Sequence, residues 1–164
     1  MSVVAVKVYK DKIVFAADSI VVKGWSKTET LDHIKLCKIN DMIIGSVGNC
    51  DESSLMQQYA KTHKPAAPDD KSVLEFVVEF YRWKKDLTGD WSIKNHYILG
   101  FEGHAFYLEG MFISEILDRH AIGAGEDFAN AVLYLGHTPR EAVKAACELS
   151  CFVSEPIIEE TMLR

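Results

Sequence analysis

The sequence predicts an α+β fold, a four-layer αββα sandwich, on three observations. The first 48 residues are dominated by short β-branched, apolar runs. Helical periodicity then takes over, apolar strands return near residue 95, and two further helical segments follow. Several of the strands also lack a clean polar face, as expected of sheets covered on both sides. Two face-to-face sheets with a helix pair outside each would bury every apolar face in that order of elements.

Residues 3–9 (VVAVKVY) and 13–17 (IVFAA) read as a hairpin turning at Lys10-Asp11-Lys12. Residues 20–22 continue extended, and 24–33 (GWSKTETLDH) read as a polar loop. Strands at 34–39 and 42–47 are joined at Asn40-Asp41. A helix over 51–63 opens with two acids, which favour the positive end of the helix dipole. The helix over 72–87 carries Val73, Phe76, Val77, Phe80 and Lys84 at helical spacing, and Gly89 ends it. Strands at 95–100, 104–108 and 111–117 form a meander with Gly103 and Gly110 in its turns. Helices follow at 125–135 and 138–149, the second opened by a Thr138-Pro139-Arg140-Glu141 capping box. Pro156 to Met162 closes the chain as an extended stretch. No repeat or linker interrupts residues 1–164, which read as one domain.

The 164 residues are 48% hydrophobic and 26% charged, an ordinary globular balance. A formal charge of −6 lacks the basic footprint that a nucleic-acid partner demands. Neither a membrane span nor a signal peptide is expected. Cys37, Cys50, Cys147 and Cys151 form no CxxC pair, which suits a reduced, cytoplasmic protein. Cys147 and Cys151 share a helix face but find no partners for a metal site, and no metal or other cofactor is expected. Gly123-x-Gly125 lacks the third glycine of a dinucleotide fingerprint, since residue 128 is Phe. The six histidines are scattered, mostly at element ends.

Chemistry points instead to the N-terminus. Removal of Met1 would leave Ser2 first, with a hydroxyl nucleophile and an α-amine on one residue. A free α-amine has a pKa of about 7.7–8.0 and so can act as a general base near neutrality. The hairpin brings Ser2 beside residues 18–20. Asp18 ends an apolar strand, a costly place for an unpaired carboxylate, and Lys35 begins the next one. As a pair, Lys35 would disfavour protonation of the neighbouring amine and Asp18 would hold the lysine in place.

These residues resemble a known pattern. Ser2-Val-Val-Ala-Val, Ile13 to Ser19, Lys35 to Ile39, Ile44-Gly45-Ser46-Val47-Gly48, Ala121 to Gly125 and His137 to Val143 follow, in order, the proteasome β-subunits of the N-terminal-nucleophile hydrolase superfamily, with the HslV-type peptidase nearest. The resemblance implies a peptidase with Ser2 as nucleophile in place of threonine, Asp18 and Lys35 as supporting pair, and the Gly45 N–H as oxyanion donor. Val47 and Val21 would line the substrate pocket. It further implies a homo-oligomeric ring acting on peptides or unfolded proteins, with an unfoldase ATPase as partner. Two positions depart from the pattern: Ala124 stands where the family usually has serine, and Ser150 where it usually has aspartate. Those losses keep two rivals in view, a degenerate ring scaffold and a small-amide hydrolase of the same fold.

Overall fold

The computed structural model describes residues 2–23, 26–29 and 35–164. In chain order its strands and helices are β1 (Val3–Val8), β2 (Lys12–Asp18), β3 (Ile20–Lys23), β4 (Ser26–Glu29), β5 (Leu36–Ile39), β6 (Met42–Val47), α1 (Cys50–Ala60) and α2 (Asp70–Thr88). They continue as β7 (His96–Phe101), β8 (His104–Glu109), β9 (Phe112–Glu115), β10 (Arg119–Gly123), α3 (Glu126–Tyr134), α4 (Pro139–Leu149) and β11 (Ile157–Leu163). One antiparallel sheet runs β10-β1-β2-β11 and the other β5-β6-β7-β8-β9, while β3 and β4 form a separate ladder.

The alternation of strand side chains sorts the apolar residues into three buried layers. Val4, Val6, Phe15 and Ala17 of the first sheet meet Ile43, Ile98 and Ala105 of the second, forming the interior between sheets. The intervening residues Val3, Ala5 and Ala16 face α3 and α4, packing with Ala129, Leu133, Val143 and Ala146. On the far side, Ile44, Leu99 and Phe106 pack against Met56 and Tyr59 of α1 and Val73, Phe76, Val77 and Phe80 of α2. This is the four-layer αββα sandwich. Small alanines on the α3–α4 side let those helices approach the sheet closely, whereas the α1–α2 side is filled by aromatic rings.

The helix ends follow local chemistry. Asn49 caps α1 by accepting the Glu52 N–H, and Asp69 caps α2 by accepting the Ser72 N–H. Gly89 closes α2 in the left-handed conformation. Thr138 and Glu141 form the expected capping box at α4.

Two strands lie where none is expected. β4 falls in the stretch read as a loop, and its sequence Ser-Lys-Thr-Glu has no apolar alternation to reveal it. Pairing with β3 organises it, Val21 opposite Thr28. Of the same stretch, residues 24, 25 and 30–33 lie outside those described. β10 begins Arg119-His120 and owes its place to the edge of β1, where Val3 opposes Gly123 and Ala5 opposes Ala121. The strand read as 111–117 ends accordingly at Glu115.

Between the two sheets size is a constraint. A Cβ on Gly45 would stand 2.5 Å from Val4 Cγ1. Gly45→Ala should therefore destabilise the chain by about 1–3 kcal/mol through overpacking, measured as a lower midpoint in urea unfolding with an unchanged slope.

Candidate active site

The β1–β2 register fixes what the sequence left open by one residue. Val4 lies opposite Ala17, so the ladder, extended, sets Val3 against Asp18 and Ser2 against Ser19. At that end, side chains replace the backbone ladder. Asp18, fully buried, accepts the Val3 N–H through Oδ1 at 2.8 Å. Its Oδ2 accepts from Lys35 Nζ at 2.6 Å, and the lysine is also buried. Ser19 donates its hydroxyl to the Pro156 carbonyl at 2.7 Å.

Lys35 belongs to the second sheet, because its carbonyl accepts the Ser46 N–H at 2.8 Å next to β6. The ion pair thus bridges the two sheets directly behind Ser2. Burial pushes the Asp18 carboxyl up, opposed by the Lys35 charge and by the hydrogen bonds from Lys35, Val3 and Ile20. Burial pushes the Lys35 ammonium down, opposed by Asp18. Each charge is held in place by the other.

Ser2 lines an open groove of about 380 Å³, within the range of small-ligand sites. Val47 and Gly48 from the end of β6 form one side, and Gly123 and Ala124 from the end of β10 form another. Lys94, His96 and Glu126 make the rim polar. Each is tethered: Lys94 Nζ to Asp90 at 2.8 Å, His96 Nε2 to Glu109 at 3.6 Å, and Glu126 Oε2 to the Gly123 N–H at 2.8 Å. The carbonyl of Ser2 accepts the Gly125 N–H at 3.3 Å, which ties the N-terminal segment to the start of α3.

The residues expected in the site divide. Ser2, Asp18 and Lys35 converge, and Val47 lines the groove beside Ser2. Val21 lies on β3 and is not part of that lining. Gly45 faces Val4 in the interior between sheets. Its N–H is also committed: Ser46 donates toward β5, so by strand alternation Gly45 donates toward β7, where it opposes Ile98. The N–H that fits an oxyanion role belongs to Gly48. This residue lines the groove next to Ser2, and among the described residues nothing accepts its N–H. Gly48 sits at φ 128°, and a Cβ there would fall 2.3 Å from Asn95 Oδ1, so both backbone and space require glycine.

Ala124 lies exposed in the groove and contributes a methyl group where a hydroxyl was sought. Ser150 ends α4, and its hydroxyl accepts the Phe152 N–H at 3.2 Å. Among the described residues no group of three or more His, Cys, Asp or Glu is placed to hold a metal ion.

The chain matches no protein-family model and no curated protein sequence. Solved structures do match it. BPH of Thiobacillus denitrificans in complex with epoxomicin superposes with a TM-score of 0.88 at 17% identity, covering 98% of each chain. A second structure of Thiobacillus denitrificans BPH gives 0.88 at 15% identity, over 98% of this chain and 97% of that one. A eukaryotic HslV from Trypanosoma brucei gives 0.69 at 20% identity, over 99% of each chain. The fold is that of the proteasome β-subunits and HslV. Within that fold the groove is lined by strand ends from both sheets, and Ser2, the residue before β1, lies in its wall.

The ion pair behind Ser2 has a stability consequence. Lys35→Met leaves Asp18 buried without its partner and should cost about 3–5 kcal/mol, whereas Asp18→Asn with Lys35→Met should recover much of that loss. Urea unfolding of the two single variants and the double variant measures the coupling.

Proposed function

We propose that the chain is an N-terminal-nucleophile peptidase working through Ser2 once Met1 has been removed. Met1 itself lies outside the described residues. The observation that carries the reading is the buried Asp18–Lys35 pair, whose carboxylate holds the Val3 N–H next to Ser2, a residue that lines an open groove. In an ordinary strand end a buried lysine has no purpose that an apolar side chain would not serve better.

The Ser2 hydroxyl attacks the scissile carbonyl carbon and its proton passes to the α-amine. The carbonyl oxygen becomes an oxyanion facing the Gly48 N–H, a donor worth about 2.7–4 kcal/mol where preorganised. Gly48 replaces Gly45 in this role because Gly45 is enclosed between the sheets. Collapse of the tetrahedral intermediate breaks the C–N bond, and the ammonium returns its proton to the departing amine. Water, activated by the same amine, then releases the acyl group from Ser2 Oγ. Lys35 keeps a positive charge near the amine and Asp18 fixes the lysine.

The overall match to BPH and HslV supports a hydrolase of this kind, and HslV-type proteins form rings, which favours a ring of identical chains here. Unfolded polypeptide in a cytoplasmic chamber, delivered by an unfoldase ATPase, is the setting this proposal implies. A second reading, a ring scaffold without turnover, is favoured by one observation: Ala124 offers no hydroxyl beside Ser2.

A peptide epoxyketone separates the two, because its ring closure consumes both the serine hydroxyl and the free α-amine. Intact mass should show one adduct per chain in protein lacking Met1, and none in Ser2→Ala or in a chain that retains Met1. Equal labelling of Ser2→Ala would remove Ser2 from the mechanism, and a ring that never labels would establish the scaffold. Peptide turnover should also rise with pH as the amine loses its proton. Its inflection should fall at or below the free α-amine range of about 7.7–8.0, and activity should drop tenfold per unit below that.

A further inference from the structure

A second buried ion pair lies on the opposite side of the groove, and the mechanism above does not use it. Glu52 of α1 and Lys84 of α2 are each almost fully buried, with Lys84 Nζ 2.6 Å from Glu52 Oε2. Glu52 does more than neutralise the lysine. Its carboxylate accepts the backbone N–H of Asn95 at 3.1 Å and of Lys94 at 3.2 Å, and the Tyr97 and Tyr81 hydroxyls at 3.3 and 3.4 Å. Lys84 also donates to the Ser92 carbonyl. The segment 92–95, leading into β7, is therefore gripped from beneath at three backbone positions.

That grip ends in the Asn95 side chain, itself buried. Asn95 Oδ1 accepts the Asn49 N–H, while Nδ2 donates to the Asn49 carbonyl and to Ser53 Oγ, both at 2.9 Å. The amide clamps both backbone groups of the residue that follows Gly48. It also occupies the space that a Gly48 side chain would need. The Gly48 N–H belongs to the preceding peptide, Val47–Gly48; with Val47 paired to His96 in the β6–β7 ladder and Asn49 held by this clamp, Gly48 is restrained from both sides.

We infer that Asn95 is a positioning residue that fixes Gly48 as oxyanion donor, with the Glu52–Lys84 pair anchoring it from the protein interior. The inference rests on the proposed role of Gly48. Asn95 touches no reacting atom. Its effect is orientation: a donor preset at the oxyanion position needs no reorganisation when charge develops. Lys94, gripped by the same carboxylate, shares this anchorage and places its side chain on the groove rim.

The test uses Asn95→Asp, which keeps size and the acceptor but puts a carboxylate oxygen against the Asn49 carbonyl. Ser53→Ala serves as a milder second variant that removes one acceptor of Nδ2. Thermal unfolding first establishes that each variant is folded. Two readouts then follow on protein lacking Met1. In crystal structures of wild type and variant, Asn95→Asp should displace or disorder Gly48 so that its N–H, in the Val47–Gly48 peptide, leaves its wild-type direction, and an unmoved Gly48 N–H would overturn the inference. In kinetics, kcat should fall about 10²-fold with KM within a few-fold, and Ser53→Ala should fall between the two. Binding of a peptide aldehyde, whose hemiacetal oxygen occupies the oxyanion position, should weaken in parallel, while the matching peptide alcohol binds as before. Wild-type kcat in Asn95→Asp, or equal weakening of aldehyde and alcohol, would also overturn it. A wild-type chain with no turnover would count against the nucleophile reading alone, because the peptide orientation in the crystals still decides the role of Asn95.

Discussion

The Asp18 carboxylate organises both the sandwich and the groove. One oxygen holds the Val3 N–H at the start of β1, and the other holds Lys35 from the second sheet. A charge pair in this position is not a source of stability, since desolvation offsets most of the attraction. What it supplies is specification. The first strand must begin at Val3, the second sheet must present Lys35 opposite, and Ser2 is left at the groove just before the strand. The apolar layers on either side would tolerate many rearrangements of similar volume. The ion pair tolerates only those that keep both charges matched.

The same device recurs across the groove. Glu52 and Lys84 form a buried pair whose carboxylate also collects backbone N–H groups, here from Lys94 and Asn95. Burial and the Glu52 carboxylate push the Tyr81 and Tyr97 phenols up, which keeps them protonated as donors to it. One pair fixes the start of the strand that follows Ser2, and the other fixes the turn that carries Gly48. Both lie behind the surface that a substrate would meet, so the groove itself is built mostly of backbone and small side chains.

That construction explains what could be read from residues alone. The layers were legible because alternation and helical spacing report burial directly. Ser2, Asp18 and Lys35 were legible because charges beside apolar strands ask for partners. β10 was not, since Arg119-His120 resembles a polar connection until β1 supplies the other half of the ladder. Gly45 and Gly48 could not be told apart in the run Ile44 to Gly48, because the difference lies in where each N–H points. One signal was present but unused: Lys84 continues the apolar stripe of Val73, Val77 and Phe80, and a lysine there needs a buried acid. Glu52 in α1 is that acid.

The proposed function depends on peptide orientation more than on side-chain identity. Ala124 brings no hydroxyl to the groove, and Ser150 turns its own toward the Phe152 N–H. In the proposed mechanism those two positions give the Ser2 amine no support, and the burden falls on Lys35 electrostatics and on the Gly48 donor. A single donor is effective only when it cannot turn away from the developing charge. A glycine at φ 128° has wide conformational freedom of its own, so the restraint must come from its neighbours. Asn95 provides that restraint at Asn49, and the interior ion pair provides it at Asn95. In the proposed mechanism the competence of Ser2 thus depends on a helix pair on the far side of the second sheet.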